Sequence, residues 1–115
     1  MKDFAFSIQK GVPVSGEKFE SILRQGIAIL TPEILRTYEL YAVPFYKQKC
    51  VRGADHSHEE VFVVARKGGR FIYYDDIEGD FGVSVTDGDG VLRDWKNYGS
   101  LLKAVLILSD EAHIE

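Results

Sequence analysis

His56 and His58 form the part of the sequence whose residue types are best suited to chemistry. They are separated by one residue, and alternate side chains of an extended segment point to the same side. Two imidazoles with a nearby carboxylate, for which Glu60 is the candidate, would make a two-histidine, one-carboxylate metal site. The alternatives are an exposed polar loop that leads into a strand, and side chains that contact a partner.

The segment from Gly53 to Glu60 also resembles the first cupin motif, in which a glycine precedes His-x-His and a glutamate follows. The resemblance implies a small metal-dependent enzyme that uses His56 and His58, and this is our alternative function. A cupin takes a further histidine from a later strand, and the remaining histidine of this chain, His113, is close to its end.

Acidic residues are concentrated between positions 75 and 94, where Arg93 is the only basic residue. We expect them to lie mainly in two loops that flank one strand, and to attract a basic partner if the loops meet. Aspartate and glycine are also favoured in turns, so a plain solvated surface is the alternative. The segment 87–90 resembles the start of a calcium-binding EF-hand loop but lacks its later ligands. The seven acids are Asp75, Asp76, Glu78, Asp80, Asp87, Asp89 and Asp94.

Other catalytic signatures are missing from the sequence. It has no Gly-x-Ser-x-Gly elbow, no phosphate-binding glycine loop and no His-Glu-x-x-His. Cys50 is the only cysteine, which excludes an internal disulfide and a four-cysteine zinc site. Basic neighbours could activate it as a nucleophile, but we interpret it as an ordinary strand cysteine. We therefore predict a protein that is not an enzyme and has no cofactor.

Two helices are predicted in the first part of the chain. Residues 15–26 have apolar side chains at helical spacing, Ser15 as a cap and Gly26 as a stop. Thr31 and Pro32 open a second helix, which we expect to end before Pro44. A third helix is predicted from Asn97 to Leu108.

Between these helices the pattern is that of strands. Residues 45–52 alternate loosely, 60–66 and 70–74 are rich in β-branched and aromatic residues, and 81–85 is a further strand. Gly68-Gly69 predicts a hairpin. Alternation would leave one of Tyr73 and Tyr74 facing solvent. The order predicts a single α+β domain over residues 1–115. Its helices would cover one face of an antiparallel meander of three to four strands.

The chain has 115 residues with 45% hydrophobic and 28% charged residues, which is typical of a globular domain. Its net charge is −4, which argues against a general nucleic-acid binder. Residues 1–53 carry eight bases and five acids, a net +3, and residues 54–115 carry six and thirteen, a net −7. Neither a signal peptide nor a membrane span is indicated, so we expect a cytoplasmic protein without membrane contact.

The segment 69–106 is similar to the C-terminal part of small bacterial immunity proteins of contact-dependent growth inhibition and polymorphic toxin systems. The shared features are a hydrophobic strand that ends in an acidic turn, an Asp/Gly turn, and Asp-Trp-x-x-Tyr leading into a terminal helix. The resemblance implies an inhibitor that binds a cognate toxin domain, often a basic nuclease, and blocks its active site.

The predicted function is therefore neutralisation of a toxin by direct binding. The seven acids of residues 75–94 would face the basic cleft of the toxin, and exposed Tyr74 and Trp95 would serve as aromatic anchors. For Trp95 and Tyr98, packing in the core is the alternative role.

Overall fold

The fold is α+β, as predicted, with five strands rather than three or four. A computed structural model describes residues 14–52, 57–86 and 92–110. Two helices come first, a meander of strands follows, and a helix ends the described chain. The elements are α1 (Gly16–Ala28), α2 (Pro32–Tyr41), β1 (Ala42–Arg52), β2 (Ser57–Lys67), β3 (Arg70–Asp75), β4 (Asp80–Thr86), β5 (Leu92–Gly99) and α3 (Leu101–Ser109).

The first two helices begin where the capping residues predicted. The Ser15 hydroxyl accepts a hydrogen bond from the Lys18 amide at 3.1 Å, and the Thr31 hydroxyl accepts one from Ile34 at 3.3 Å. The predicted stop at Gly26 is wrong, since α1 continues to Ala28. Gly26 instead allows close packing on α3, because a Cβ there would lie 3.3 Å from that of Leu101.

The predicted start of the last helix is also wrong. Asn97 lies in β5, where it pairs with Gly82 of β4. α3 begins only at Leu101 and is capped by the Ser100 hydroxyl. Gly99, with φ of +93°, lies at the junction between strand and helix. β5 pairs with β4 and, at Leu92, with β1, so its place in the sheet depends on residues outside the segment 92–99.

The strands close into a barrel in the order β1-β2-β3-β4-β5. Consecutive strands are antiparallel, so the first and fifth strands of the meander run in the same direction. The closing pair, Cys50 with Leu92, is accordingly parallel. A parallel pair needs a long crossover between its strands, and here the three intervening strands supply it.

The buried residues form two clusters, one on each face of the sheet. The outer cluster joins the helices to the sheet and is centred on Phe19, Phe62, Tyr74 and Phe81. The inner cluster contains only strand residues: Cys50, Val61, Val63, Phe71 and Tyr73. A five-stranded barrel has room inside for side chains but not for helices, so the helices cover its outer face.

Two basic side chains of the β2–β3 hairpin hold the C-terminal end of α3. Arg70 donates from Nη1 to the carbonyl of Ile107 at 3.4 Å, and the Lys67 ammonium donates to that of Ser109 at 3.3 Å. Carbonyls at this end of a helix lack partners within the helix, and its dipole favours positive charge there. The hairpin therefore fixes α3 against the sheet.

Candidate functional site

The turn between β3 and β4, residues 75–80, contains four of the seven predicted acids and is called here the acidic turn. Its first residue, Asp75, is 1% exposed. Asp75 Oδ1 accepts hydrogen bonds from the amides of Ile77 at 3.0 Å and Glu78 at 3.2 Å. Its carbonyl accepts a third from Gly79 at 2.7 Å. Asp75 was predicted to contact a partner, and this is wrong because its carboxylate is buried and holds the turn together.

A chain of partly buried hydrogen bonds anchors the acidic turn to β5. The Tyr73 hydroxyl donates to Asn97 Oδ1 at 2.5 Å, and Asn97 Nδ2 donates to Asp75 Oδ2 at 3.2 Å. Gly82 on the intervening strand makes room, because a Cβ there would collide with the Tyr73 hydroxyl and the Lys96 carbonyl. Sequence reasoning missed Asn97 and Gly82, since only the pairing of β3, β4 and β5 brings them together.

Three other acids of the turn lie at or near its surface. Glu78 is exposed, and Asp76 and Asp80 are partly buried. Asp76 Oδ2 accepts a hydrogen bond from the Val14 amide, just before α1, at 3.2 Å. No basic residue occurs between positions 75 and 80. The turn is thus an acidic segment that is hydrogen-bonded to β5 and to the residue that precedes the cap of α1.

Tyr74 is not the exposed aromatic anchor that was predicted. It is 7% exposed, and its ring lies 5.1 Å from that of Phe19 and 5.0 Å from that of Phe81 between centroids. Tyr73 is fully buried as well, so neither tyrosine faces solvent. Closure of the barrel buries Tyr73 on the inner face of β3, and the helices packed on the outer face bury Tyr74.

The Tyr74 hydroxyl lies beneath the acidic turn. A Cβ built on Gly79 would be 3.9 Å from this oxygen. Burial raises the pKa of Tyr74, and the negative charges of Asp76, Asp75 and Asp80 raise it further. The phenol is therefore protonated near neutral pH and lies close to several carboxylates.

Of the remaining predicted acids, only Asp94 lies on a described strand. Asp87 and Asp89 lie outside the described residues, and Asp94 lies in β5 with Trp95, where only the backbone is described. The acidic turn leads into β4 at Asp80, and the next acidic segment follows Thr86 at the other end of this strand. Seven strand residues span roughly 20 Å, which separates the two points of departure.

The predicted metal site lies largely outside the described side chains. His56 is outside the described residues, and His58 is in β2, where only its backbone is described. Glu60 is exposed and paired with Lys49. Where side chains are described, no three histidine, cysteine, aspartate or glutamate residues are grouped to hold a metal ion. The metal site stays a prediction.

The side chains of two further candidates, Cys50 and Tyr98, are described and lie in the two clusters. Cys50 is 1% exposed within the inner cluster, as expected of a strand cysteine rather than an accessible nucleophile. Tyr98 is partly buried and packs on the outer cluster. Neither residue lies in the acidic turn.

Comparison with known proteins gives no relative for this chain: no family model matches it, and neither a curated protein nor a solved structure does. Within the described ranges, none of the helices is both long and apolar enough to cross a membrane. A functional proposal must therefore rest on the chemistry of the chain itself.

Proposed function

We propose that this protein is an inhibitor of the immunity type, which binds a cognate toxin domain and blocks its active site with the acidic turn. The observation that carries the proposal is the turn itself. Asp76, Glu78 and Asp80 lie at or near the surface within five residues of chain, and no basic residue interrupts them. The partner expected for such a surface is a basic one, such as the phosphate-binding cleft of a nuclease.

The internal bonding of the turn supports a role in binding. The Asp75 carboxylate holds the turn by accepting hydrogen bonds from backbone amides of the turn and from Asn97. Asp76 connects the turn to Val14, just before α1. A segment that is already ordered loses less conformational entropy when it binds. Carboxylates held in this way would occupy the positions of substrate phosphates and speed the encounter with a positively charged cleft.

Coexpression tests the proposal. The protein is produced together with the toxin encoded by the gene next to its own, and growth rescue and complex formation are measured. We expect wild type to restore growth and to bind the toxin. If toxicity persists and no complex forms, the inhibitor function is wrong.

A charge-matched pair of variants tests the surface. Asp76→Asn, Glu78→Gln and Asp80→Asn together remove three charges from the turn, and the amide oxygen introduced at position 76 could still accept from Val14. The control removes three exposed charges from the helices by Glu17→Gln, Glu33→Gln and Glu39→Gln. We expect the turn variant to associate with the toxin on the order of tenfold more slowly at low salt, and the control to resemble wild type. Equal association rates would show that another surface binds.

A further inference from the structure

The Tyr74 hydroxyl is a polar group in an unusual position. The residue is 7% exposed, and the ring centroids of Phe19 and Phe81 lie 5.1 Å and 5.0 Å from its own. Among the described residues no hydrogen bond to this hydroxyl is found, and its oxygen is not one of the fully buried, unsatisfied side-chain atoms, so it is accessible to an incoming group. It is directed at the acidic turn, where Gly79 provides no side chain to cover it. An incoming group that hydrogen-bonds this oxygen would complete the site.

The surroundings of the hydroxyl specify the charge of that group. Asp76 and Asp80 both lie close enough to act on Tyr74 electrostatically, and one oxygen of Asp76 is already engaged with Val14. Carboxylate oxygens only accept hydrogen bonds, and a phenol oxygen can accept one as well. The ligand must therefore be a cation that donates several hydrogen bonds in different directions.

The geometry distinguishes among cations. The described carboxylates are not grouped as metal ligands. Tyr74 is only 7% exposed and its hydroxyl lies next to Gly79 of the turn, so a cation reaches the hydroxyl rather than stacking on the ring. A guanidinium presents five N–H donors in a plane and is more weakly hydrated than an ammonium, which suits a partly buried site with several acceptors.

We propose that the acidic turn binds an arginine side chain of the partner, with its guanidinium between Asp76 and Asp80 and one N–H donated to the Tyr74 hydroxyl. This inference rests on the proposed function, since it names the side chain by which the toxin would be held. It gives Tyr74 a role in recognition through its oxygen alone.

A titration that needs no toxin tests the inference. The backbone amide signals of the ¹⁵N-labelled protein are followed while N-acetyl-arginine amide, N-acetyl-lysine amide or neutral N-acetyl-norleucine amide is added at low salt. We expect the arginine probe to shift the signals of residues 76–80 at millimolar concentration. The lysine probe should bind several-fold more weakly, and the norleucine probe should leave these signals unchanged.

The variant Tyr74→Phe removes the oxygen and keeps the buried ring. We expect it to weaken binding of the arginine probe by roughly tenfold, the size typical of a hydrogen bond to a charged group. Tyr41→Phe is the control, because Tyr41 is partly buried elsewhere, beneath the Lys67 ammonium at 5.6 Å from its ring centre. If Tyr74→Phe lowers stability, Asp80→Asn gives an independent test by removing one of the two carboxylates.

The outcomes separate this inference from the proposed function. Three results would overturn the arginine site. The arginine probe could bind both Tyr74→Phe and Asp80→Asn as tightly as wild type, the lysine probe could bind wild type as tightly as the arginine probe, or no probe could bind at all. Shifts of the same signals by micromolar CaCl₂ would also overturn it, in favour of a metal site. The inhibitor function would survive all of these results if wild type still neutralised the toxin. A probe that binds as expected, to a protein that fails to neutralise the toxin, would uphold the site and reject the function.

Discussion

The outer and inner clusters use different means to bury the two faces of the same sheet. In the outer cluster Phe19 stacks on Phe62 at 4.3 Å between ring centres and meets Phe45 edge-on at 5.0 Å. On the inner side, Tyr73 is joined to Asn97, and Asn97 to Asp75, by hydrogen bonds. The outer cluster depends on close packing of ring shapes, and the inner side depends on hydrogen bonds to its polar groups.

The difference explains how the acidic turn is held. Tyr74 and Asp75 are consecutive in β3, so their side chains enter opposite faces of the sheet. Tyr74 packs in the outer cluster beneath the turn, whereas Asp75 hydrogen-bonds to the turn and to Asn97 on the inner side. The turn is therefore attached to both sides of the sheet, and a destabilising substitution on either side should also disturb the turn.

The largest effect is expected in the outer cluster. Phe19→Ala leaves a cavity among four aromatic rings and should lower the free energy of unfolding by about 3–5 kcal/mol. Phe19→Leu fills much of the space and should cost clearly less. Urea unfolding measures both. Similar losses in the two variants would show that cavity formation is not the main cost.

On the inner side, Asp75→Ala removes the acceptor for two backbone amides and for Asn97. Leaving buried donors unsatisfied should cost about 3 kcal/mol in the same urea experiment. Asp76→Ala is the control, because its partly buried carboxylate accepts one amide and should cost under about 1 kcal/mol. Equal costs would contradict the structural role given to Asp75.

The free energy of unfolding should depend on pH through a tyrosine of the outer cluster. Burial raises the pKa of Tyr38, a member of that cluster, from 10.0 to about 12. Between pH 10 and 12 this hydroxyl ionises in the unfolded chain but stays protonated in the folded one. Stability should therefore fall as pH rises through this window, by about 2–3 kcal/mol in total. Tyr38→Phe should lack this component when unfolding is compared at pH 8 and pH 11. An unchanged pH dependence would contradict the prediction.

The smallest effect is expected at the turn itself. Gly79 has φ of +78°, a conformation that alanine adopts only at a cost of roughly 1–2 kcal/mol. Gly79→Ala should therefore lower the free energy of unfolding by about that amount. Gly69→Ala is the matched control, because that glycine has no positive φ and only an ordinary contact, 3.6 Å to the Thr86 carbonyl. Thermal unfolding should separate the two variants, and equal melting temperatures would remove the backbone argument.

Much of the fold was predictable because its signals are local. The Ser15 and Thr31 caps mark helix starts through bonds to amides three residues on, and Gly68-Gly69 marks a two-residue hairpin turn. The candidate site was only partly predictable. Acidity of the turn is visible in the sequence, but the burial of Asp75 and of the Tyr74 ring depends on strands and helices that are distant in the chain.

The amino-acid sequence by itself determined the order of helices and strands and the position of negative charge, because capping, periodicity and charge need only neighbouring residues. The tertiary structure decided which acids meet, which tyrosines are buried and where the last strand runs. Those properties follow from strand pairing, in which β4 aligns Gly82 between Tyr73 and Asn97, and from the helices that cover Tyr74 on the outer face. Pairing between distant segments has no signature within either segment, so only the folded chain reveals it.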